Sequence, residues 1–305
     1  MGPTACGKTQ TAIDLLPYFD LEIISVDSAM IYRGMDIGTA KPSPLILKQA
    51  PHRLIDTHDP SDVYSAAEFR INAMNAIEEI LSQGRIPLLV GGTMLYFHVL
   101  QHGIAALPPT NFLIRHQLKN ELTHLGLKKL HERLSAIDPL AAQRIHPHDP
   151  QRILRALEVA YVSGKTLTEL QATRSTDTLP YYFINIALLP DDRHRLHQMI
   201  AARFQTMLAQ GFLEEVEKLV NRGDLHADLP AIRTVGYRQI WNYLCGTFSY
   251  TEMQDRAIIA TRQLAKRQLT WLRSWQTLNK LACDEPKNLK KIIALIKINL
   301  KKANF

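Results

Sequence analysis

Short apolar runs alternate with amphipathic stretches in the first third of the chain. Leu21–Val26 and residues 86–90 are apolar runs of strand length, and residues 52–57 form a weaker one. Between the last two, residues 65–83 carry apolar side chains at spacings of three and four, and Gly84 follows as a stop signal. Strands and helices in this order predict an α/β fold, a parallel sheet flanked by helices.

The pattern changes after Pro108 and Pro109. Only helical patterns follow, over residues 113–125, 127–134, 140–144 and 151–162. A strand pattern at 181–189 predicts a return to the sheet, and helical patterns resume over 193–210, 212–222, 231–244 and 251–275. We therefore predict a core of residues 1–109 plus 178–275 and a helical insertion domain of residues 110–177. Residues 276–305 form a basic extension, in which 287–302 read as a short docked helix.

Residues 2–9 (GPTACGKT) match the phosphate-loop pattern G-x-x-x-x-G-K-[ST] at every fixed position. In such a loop the backbone N–H groups surround a phosphate, and the positive end of the next helix faces the anion. Lys8 adds a positive charge, and Thr9 offers a hydroxyl to Mg²⁺. The motif predicts that the chain handles a pyrophosphate or a nucleotide. The predicted phosphate-binding residues are Gly2, Pro3, Thr4, Ala5, Cys6, Gly7, Lys8 and Thr9.

A phosphate loop normally follows a buried strand, but only Met1 precedes this one. We therefore expect roughly 5–15 further residues upstream, with one short apolar strand among them.

Two other polar segments follow predicted strands. Asp27 ends the first strand, and Gly91, Gly92 and Thr93 end the strand at 86–90. Because the carboxyl ends of parallel strands meet at one edge, these segments should converge on the phosphate loop. Asp27 can help to hold Mg²⁺, accept a proton from a nucleophile, or only cap a turn, and Thr93 can be a helix N-cap.

Basic residues cluster on three predicted helical segments. Arg152 and Arg155 share a helix face with Glu158, so an intrahelical ion pair is as reasonable as an RNA contact. RTVGYR, residues 233–238, suits phosphate and stacking contacts, and 261–273 carries arginines and a lysine without an acidic residue. A merely solvated face is the alternative for the last segment. His146 and His148, separated by a proline, indicate a loop rather than a metal site.

Composition limits these interpretations. The chain of 305 residues is 46% hydrophobic and 21% charged, which fits a globular protein, and no apolar run reaches the ~20 residues of a membrane span. Three widely spaced cysteines predict a reducing cytoplasm. The net charge of +7 is concentrated in residues 276–305, so nucleic-acid binding has to be argued from local clusters.

Taken together, the motifs resemble one family. GPTACGKT, SVDSAMIYRGMDIGTAKP, GRIPLLVGGTMLY, RIHPHDPQRILRALEV, RTVGYRQ and ATRQLAKRQLTWLR, in this order, are similar to bacterial tRNA dimethylallyltransferases. The resemblance covers about residues 1–275. It departs from the family in three places: the strand before the phosphate loop is missing, Cys6 replaces a small polar residue, and residues 276–305 extend past the usual end.

The resemblance implies a fold like that of the phosphate-loop kinases, with a helical insertion that grips the anticodon stem. It implies transfer of a dimethylallyl group from dimethylallyl diphosphate to the exocyclic amine of the adenosine 3′ of the anticodon. Mg²⁺ is the implied cofactor, Asp27 the base, and Lys8 and Thr93 further catalytic residues; no membrane or protein partner is implied. The implied tRNA-binding residues are Asp27, Ser28, Ala29, Met30, Thr93, Arg115, Gln151, Arg152, Arg155, Arg233, Gly236, Tyr237, Arg238, Lys266, Arg267 and Arg273.

Two other functions use the same motifs. A small-molecule or nucleoside kinase would bind ATP on the phosphate loop, and transfer from dimethylallyl diphosphate rather than from ATP excludes it. A non-catalytic RNA-binding module would bind tRNA without turnover. In that case Asp27→Asn would leave RNA affinity intact and abolish no activity.

Overall fold

The computed structural model describes residues 1–173 and 179–302. The chain divides into two compact units, Met1–Leu100 with Pro180–Phe305, and Gln101–Leu179. The sequence placed the insertion at 110–177; the second unit also takes in the extended stretch that leads into its first long helix. None of the described helices combines the length and the apolar character needed to cross a membrane.

The helices and strands of the described residues are numbered in chain order. The α-helices are α1 (Lys8–Leu15), α2 (Pro44–Gln49), α3 (Ala66–Ser82), α4 (Met94–His102), α5 (Phe112–Ile137), α6 (Pro139–Arg144), α7 (Pro150–Ser163), α8 (Leu167–Ala172), α9 (Arg193–Ala209), α10 (Phe212–Asn221), α11 (Tyr237–Leu244), α12 (Tyr250–Arg273) and α13 (Asn288–Lys302). The strands are β1 (Leu21–Val26), β2 (His52–Arg53), β3 (Ile86–Gly91), β4 (Ile186–Leu189) and β5 (Asn279–Ala282).

The main sheet of the first unit is parallel, with the strand order β2-β1-β3. Every residue of the central strand β1 is buried, as its continuous apolar run predicted. The strands predicted at 21–26 and 86–90 are confirmed. The third is shorter than predicted, because Leu54 and Asp56 have positive φ (62° and 56°), a backbone conformation that cannot continue a strand.

Helix boundaries follow the capping signals in most places. The side chain of Ser65 accepts a hydrogen bond from Glu68 N at 3.1 Å and begins α3, as the sequence predicted. The helix predicted over 231–244 is wrong in its first half. Gly236 has φ 93°, which a helix cannot accommodate, so α11 begins only at Tyr237.

A second parallel sheet pairs β4 with β5. The sequence predicted that β4 returns to the main sheet, but in the described residues its ladder partner is β5, a strand that was not predicted. Met1 lies along β4: its amino group donates to Ile186 O at 2.8 Å, and its carbonyl accepts from Leu188 N at 3.0 Å.

The basic extension belongs to the core of the first unit. On α13, Ile292 and Ile296 are buried in one apolar cluster with Cys6 of the phosphate loop and Leu188 of β4. The predicted docked helix is therefore confirmed, and its apolar face packs in the same cluster as Cys6 of the phosphate loop.

Ile292→Ala should lower the free energy of unfolding by about 2–5 kcal/mol, because a buried side chain is replaced by a cavity. Ile298, which is 54% exposed on the same helix, supplies the matched control. Ile298→Ala should change stability by about 0.5 kcal/mol or less. Urea unfolding of the two variants checks the difference, and equal stability would mean that α13 does not pack as described.

The second unit is helical, as predicted. The two helices predicted at 113–125 and 127–134 form the single element α5, which is kinked at Gly126 (φ 77°, ψ 163°). Its apolar core includes Leu118, Leu130 and Leu134 of α5, packed with Ile153 and Leu157 of α7.

Candidate active site

A cleft of about 700 Å³ opens at the carboxyl ends of β1 and β3. The phosphate loop, the turn after β1 and the turn after β3 all line it, as do residues of α9 and α12. The predicted convergence of the three strand-end segments is therefore confirmed.

The phosphate loop has the backbone that its motif requires. Ala5 and Gly7 have positive φ (65° and 69°), and α1 begins directly afterwards at Lys8. Residues 4–9 line the cleft. Gly2 and Pro3 lie behind it: a Cβ on Gly2 would stand 2.6 Å from Leu188 O, so a larger residue cannot be accommodated there.

Two cations face the cleft without an ion-pair partner in the described part of the chain. Among the described residues, Lys8 Nζ donates only to Pro3 O, at 2.7 Å. Burial lowers the pKa of Lys8 to about 8, against the opposing effect of Asp27. Burial also lowers the pKa of Arg203 on α9, a residue that no local sequence motif marks. Because neither charge is compensated by a salt bridge, the site is prepared for an anion.

Asp27 uses one carboxylate oxygen to hold its own turn. Oδ1 accepts from Ala29 N at 2.9 Å and from Met30 N at 3.3 Å, so the capping interpretation is correct for this atom. Oδ2 makes no hydrogen bond to any described residue and remains available as a base. The carboxylate therefore caps the turn after β1, and its roles as a base or as a ligand of Mg²⁺ stay predictions.

Thr93 connects the turn after β3 to the turn after β1. Its Oγ1 accepts from Ser28 N at 3.1 Å and lies 3.4 Å from Ser28 Oγ. Thr93 directly precedes α4, but among the described residues its hydroxyl bonds to Ser28 and not to the first turn of that helix. Thr93 instead fixes the backbone immediately after Asp27.

A buried amide joins the two sides of the cleft. Gln268 of α12 accepts from Thr4 N at 2.9 Å and donates to Gly92 O at 2.8 Å. It sits among basic residues in the sequence, and no local signal marks it.

Aromatic residues that belong to no sequence motif form much of the wall of the cleft. The wall includes Tyr32, Tyr64, Tyr96, Phe204, Phe212 and Trp271. Burial raises the pKa of Tyr32, Tyr64 and Tyr96, so these phenols stay neutral. The cleft thus combines a cationic end with an apolar wall.

The structure corrects the prediction that Tyr237 meets RNA. Its ring is fully buried at 4.9 Å from the Phe212 ring, and its hydroxyl donates to Glu215 Oε1 at 2.5 Å. Glu215 also accepts from the backbone N–H groups of residues 36–38, which continue into the cleft wall. Tyr237 therefore supports the site from behind.

The other basic residues of the first unit that were predicted to meet RNA are exposed. Arg233, Arg238, Lys266, Arg267 and Arg273 have no ion pair within the described residues, and Arg233 and Arg267 border the cleft. An RNA-facing role for them stays a prediction.

In the second unit, Arg115 and Arg155 share the buried Glu158. Arg155 Nη1 lies 3.3 Å and Arg115 Nη1 lies 3.5 Å from Glu158 Oε2. The ion pair that the sequence offered as the alternative for Arg155 is therefore present. Arg152 and Gln151 are exposed, and Arg152 Nε lies 3.4 Å from Asp149 Oδ2. Contact of these two residues with RNA stays a prediction.

His146 and His148 lie in a loop with their ring centroids 5.4 Å apart. No group of three or more His, Cys, Asp or Glu side chains in the described ranges could hold a metal ion.

Comparison with known proteins decides among the candidate functions. A family model described as IPP transferase matches residues 30–275. The chain belongs to this family. It is a prenyltransferase that modifies tRNA, and the kinase alternative is not favoured.

Solved structures agree with the family over the whole chain. The tRNA isopentenylpyrophosphate transferase of Bacillus halodurans is 36% identical, with a TM-score of 0.72, over 99% of this chain and 95% of that one. The corresponding Staphylococcus epidermidis enzyme is 33% identical, with a TM-score of 0.70, over 99% and 97%. A eukaryotic dimethylallyltransferase acting on tRNA is 25% identical, with a TM-score of 0.80, over 99% and 78%. The predicted fold, a phosphate-loop α/β core, is confirmed.

Proposed function

We propose that the enzyme transfers a dimethylallyl group from dimethylallyl diphosphate to the exocyclic amine of the adenosine 3′ of the anticodon in tRNA. The observation that carries the proposal is the presence, in one cleft, of two cations and a carboxylate oxygen for which the described residues offer no ion-pair partner and no hydrogen-bond donor, respectively. The cations suit a diphosphate, and the carboxylate suits an amine that must lose a proton.

The donor diphosphate would lie on residues 4–9, where loop N–H groups and the amino end of α1 meet an anion. Lys8 would leave Pro3 O and turn toward the phosphates, and Arg203 would approach from α9. Both charges stabilise the negative charge that grows on the leaving group as the carbon–oxygen bond breaks. The aromatic wall would hold the dimethylallyl group and exclude water from the allylic carbon.

The acceptor adenine would enter beside the Asp27–Thr93 turn, flipped out of the anticodon loop. Its amine nitrogen bonds to the allylic carbon while diphosphate departs, and Asp27 Oδ2 takes the proton that the nitrogen loses. Asp27 Oδ1 stays bonded to Ala29 N and Met30 N, so the carboxylate keeps its orientation. Thr93 would orient the amine from the adjoining turn.

The residues present fit Mg²⁺ as a cofactor. The Thr9 hydroxyl lines the cleft and makes no hydrogen bond to the described residues, and Mg²⁺ in such sites takes few protein ligands besides substrate phosphates and water. Bound there, Mg²⁺ would neutralise part of the diphosphate charge. We place the reaction in the cytoplasm, with the anticodon stem-loop as the part of tRNA that the protein grips.

A transfer assay tests the function directly. The enzyme is incubated with an anticodon stem-loop and either radiolabelled dimethylallyl diphosphate or γ-labelled ATP. Label should enter the RNA from the first donor only, with release of one diphosphate for each product. Label transfer from ATP instead would establish a kinase.

Removing charge at Arg233, Arg238 and Lys266 should weaken tRNA binding and flatten its salt dependence. Each phosphate contact that is lost should reduce the slope of log K against log[salt] by about one unit. Substitution of each residue by Gln, followed by filter binding over a salt series, measures the slope. Lys48→Gln on α2, an exposed position outside the cleft, is the control and should leave the slope unchanged. Unchanged slopes in all three variants would mean that these residues are solvated and do not contact RNA phosphates.

A further inference from the structure

A single side chain bridges the two segments that the proposed function assigns to different substrates. Gln268 Oε1 accepts from Thr4 N in the phosphate loop, at 2.9 Å, and Gln268 Nε2 donates to Gly92 O in the turn after β3, at 2.8 Å. The amide is buried, although its neighbours Lys266 and Arg267 on α12 are exposed. The bridge therefore joins two segments of the first hundred residues through a buried side chain of α12, which is distant from both along the chain.

The two bridged segments act on different substrates. Thr4 belongs to the loop that would bind the donor diphosphate. Gly92 directly precedes Thr93, whose hydroxyl fixes the turn at Asp27 where the acceptor amine would lie. The distance between the allylic carbon and the amine therefore depends on the register between these segments.

We propose that Gln268 is a positioning residue that sets this register, an inference that rests on the proposed function. A primary amide suits the task because it carries an acceptor and a donor side by side. Position 92 has to be a glycine to leave space for this amide, because a Cβ there would lie 2.5 Å from Gln268 Nε2. Loss of the amide leaves each substrate its own binding groups but frees the two segments to move relative to each other.

Gln268→Met, which is similar in length but can make neither hydrogen bond, separates binding from positioning. The turnover number per active site should fall about 100-fold, the size expected for a misplacement of about 1 Å. The Michaelis constants for dimethylallyl diphosphate and for the anticodon stem-loop should stay within about threefold of the parent values, because their binding groups remain. Active sites are counted from the stoichiometry of inorganic diphosphate binding. Gln263→Met, an exposed position on the same helix, is the matched control and should keep parent kinetics.

Gln268→Glu supplies a second readout that a purely structural role would not move. An ionised carboxylate accepts from Thr4 N but cannot donate to Gly92 O, whereas a protonated carboxyl can do both. The ratio of the turnover number of Gln268→Glu to that of the parent should therefore rise as the pH falls from 8 to 6.

A turnover number per active site within threefold of the parent in both variants would overturn the inference, even if their melting temperatures fall. The proposed function has a separate test. If the parent enzyme itself transfers nothing from dimethylallyl diphosphate, the function is wrong whatever the variants do.

Discussion

Asp27→Asn should lower the rate of prenyl transfer about 10²–10⁴-fold while tRNA affinity changes by less than about threefold. The substitution replaces Oδ2, the proposed base, and keeps Oδ1, which accepts the hydrogen bonds of the turn. The amide oxygen of Asn can still accept from Ala29 N and Met30 N, so the turn after β1 should be preserved. Single-turnover transfer to a labelled anticodon stem-loop measures the rate, and filter binding measures the affinity.

Asp27→Ala is the informative comparison, because it removes both the base and the turn contacts. It should be as slow as Asp27→Asn and should also have a lower melting temperature. If Asp27→Asn transfers within threefold of the parent rate, Asp27 only caps the turn and the proton leaves by another route.

Lys8→Met should raise the Michaelis constant for dimethylallyl diphosphate and lower turnover, since one cation acts on the bound diphosphate and on the departing one. The variant keeps the length of the side chain and removes the charge.

The charge of Lys8 also predicts a pH dependence of the reaction. Burial lowers the pKa of Lys8 to about 8, so the free enzyme carries this charge below that pH and loses it above. The parent's kcat/KM for the donor should therefore fall as the pH rises from 7 to 9.

In Lys8→Met this fall should disappear, and that comparison assigns the titration to Lys8. Measurements at constant ionic strength and saturating tRNA keep the other titrations common to both proteins. A profile that keeps the same decrease in the variant would place the titrating group elsewhere.

The strand-end segments of the cleft were readable from the sequence because their signals are local. The spacing of GPTACGKT identifies the phosphate loop, and the polar residue after β1 and the glycines at the end of β3 mark where these two strands stop. Parallel topology then brings the two strand ends together. Arg203 and Gln268 were missed for the opposite reason. Each lies in the middle of a helix, and only tertiary packing turns it toward the cleft.

Two further errors have the same origin. Tyr237 reads as a stacking residue beside two arginines, but Phe212 and Glu215 of α10 enclose it, and nothing near Tyr237 in the sequence announces them. The strand β5 is only four residues long and half exposed, so it carries no apolar pattern of its own. Its conformation comes from the ladder with β4.

Two contacts of the first unit join segments that are far apart in the order of synthesis. They are the pairing of β4 with β5 and the packing of the phosphate loop against α13. Asn279 Nδ2 bonds to Asn185 O across 94 positions, and Cys6 shares a cluster with Ile292 and Ile296. The loop is therefore synthesised long before the helix that it rests on. Contacts so distant along the chain close slowly, and their partners stay exposed until they do. The ability to bind the donor should therefore arise only after synthesis of α13, as a late step of folding that follows the helical unit in the middle of the chain.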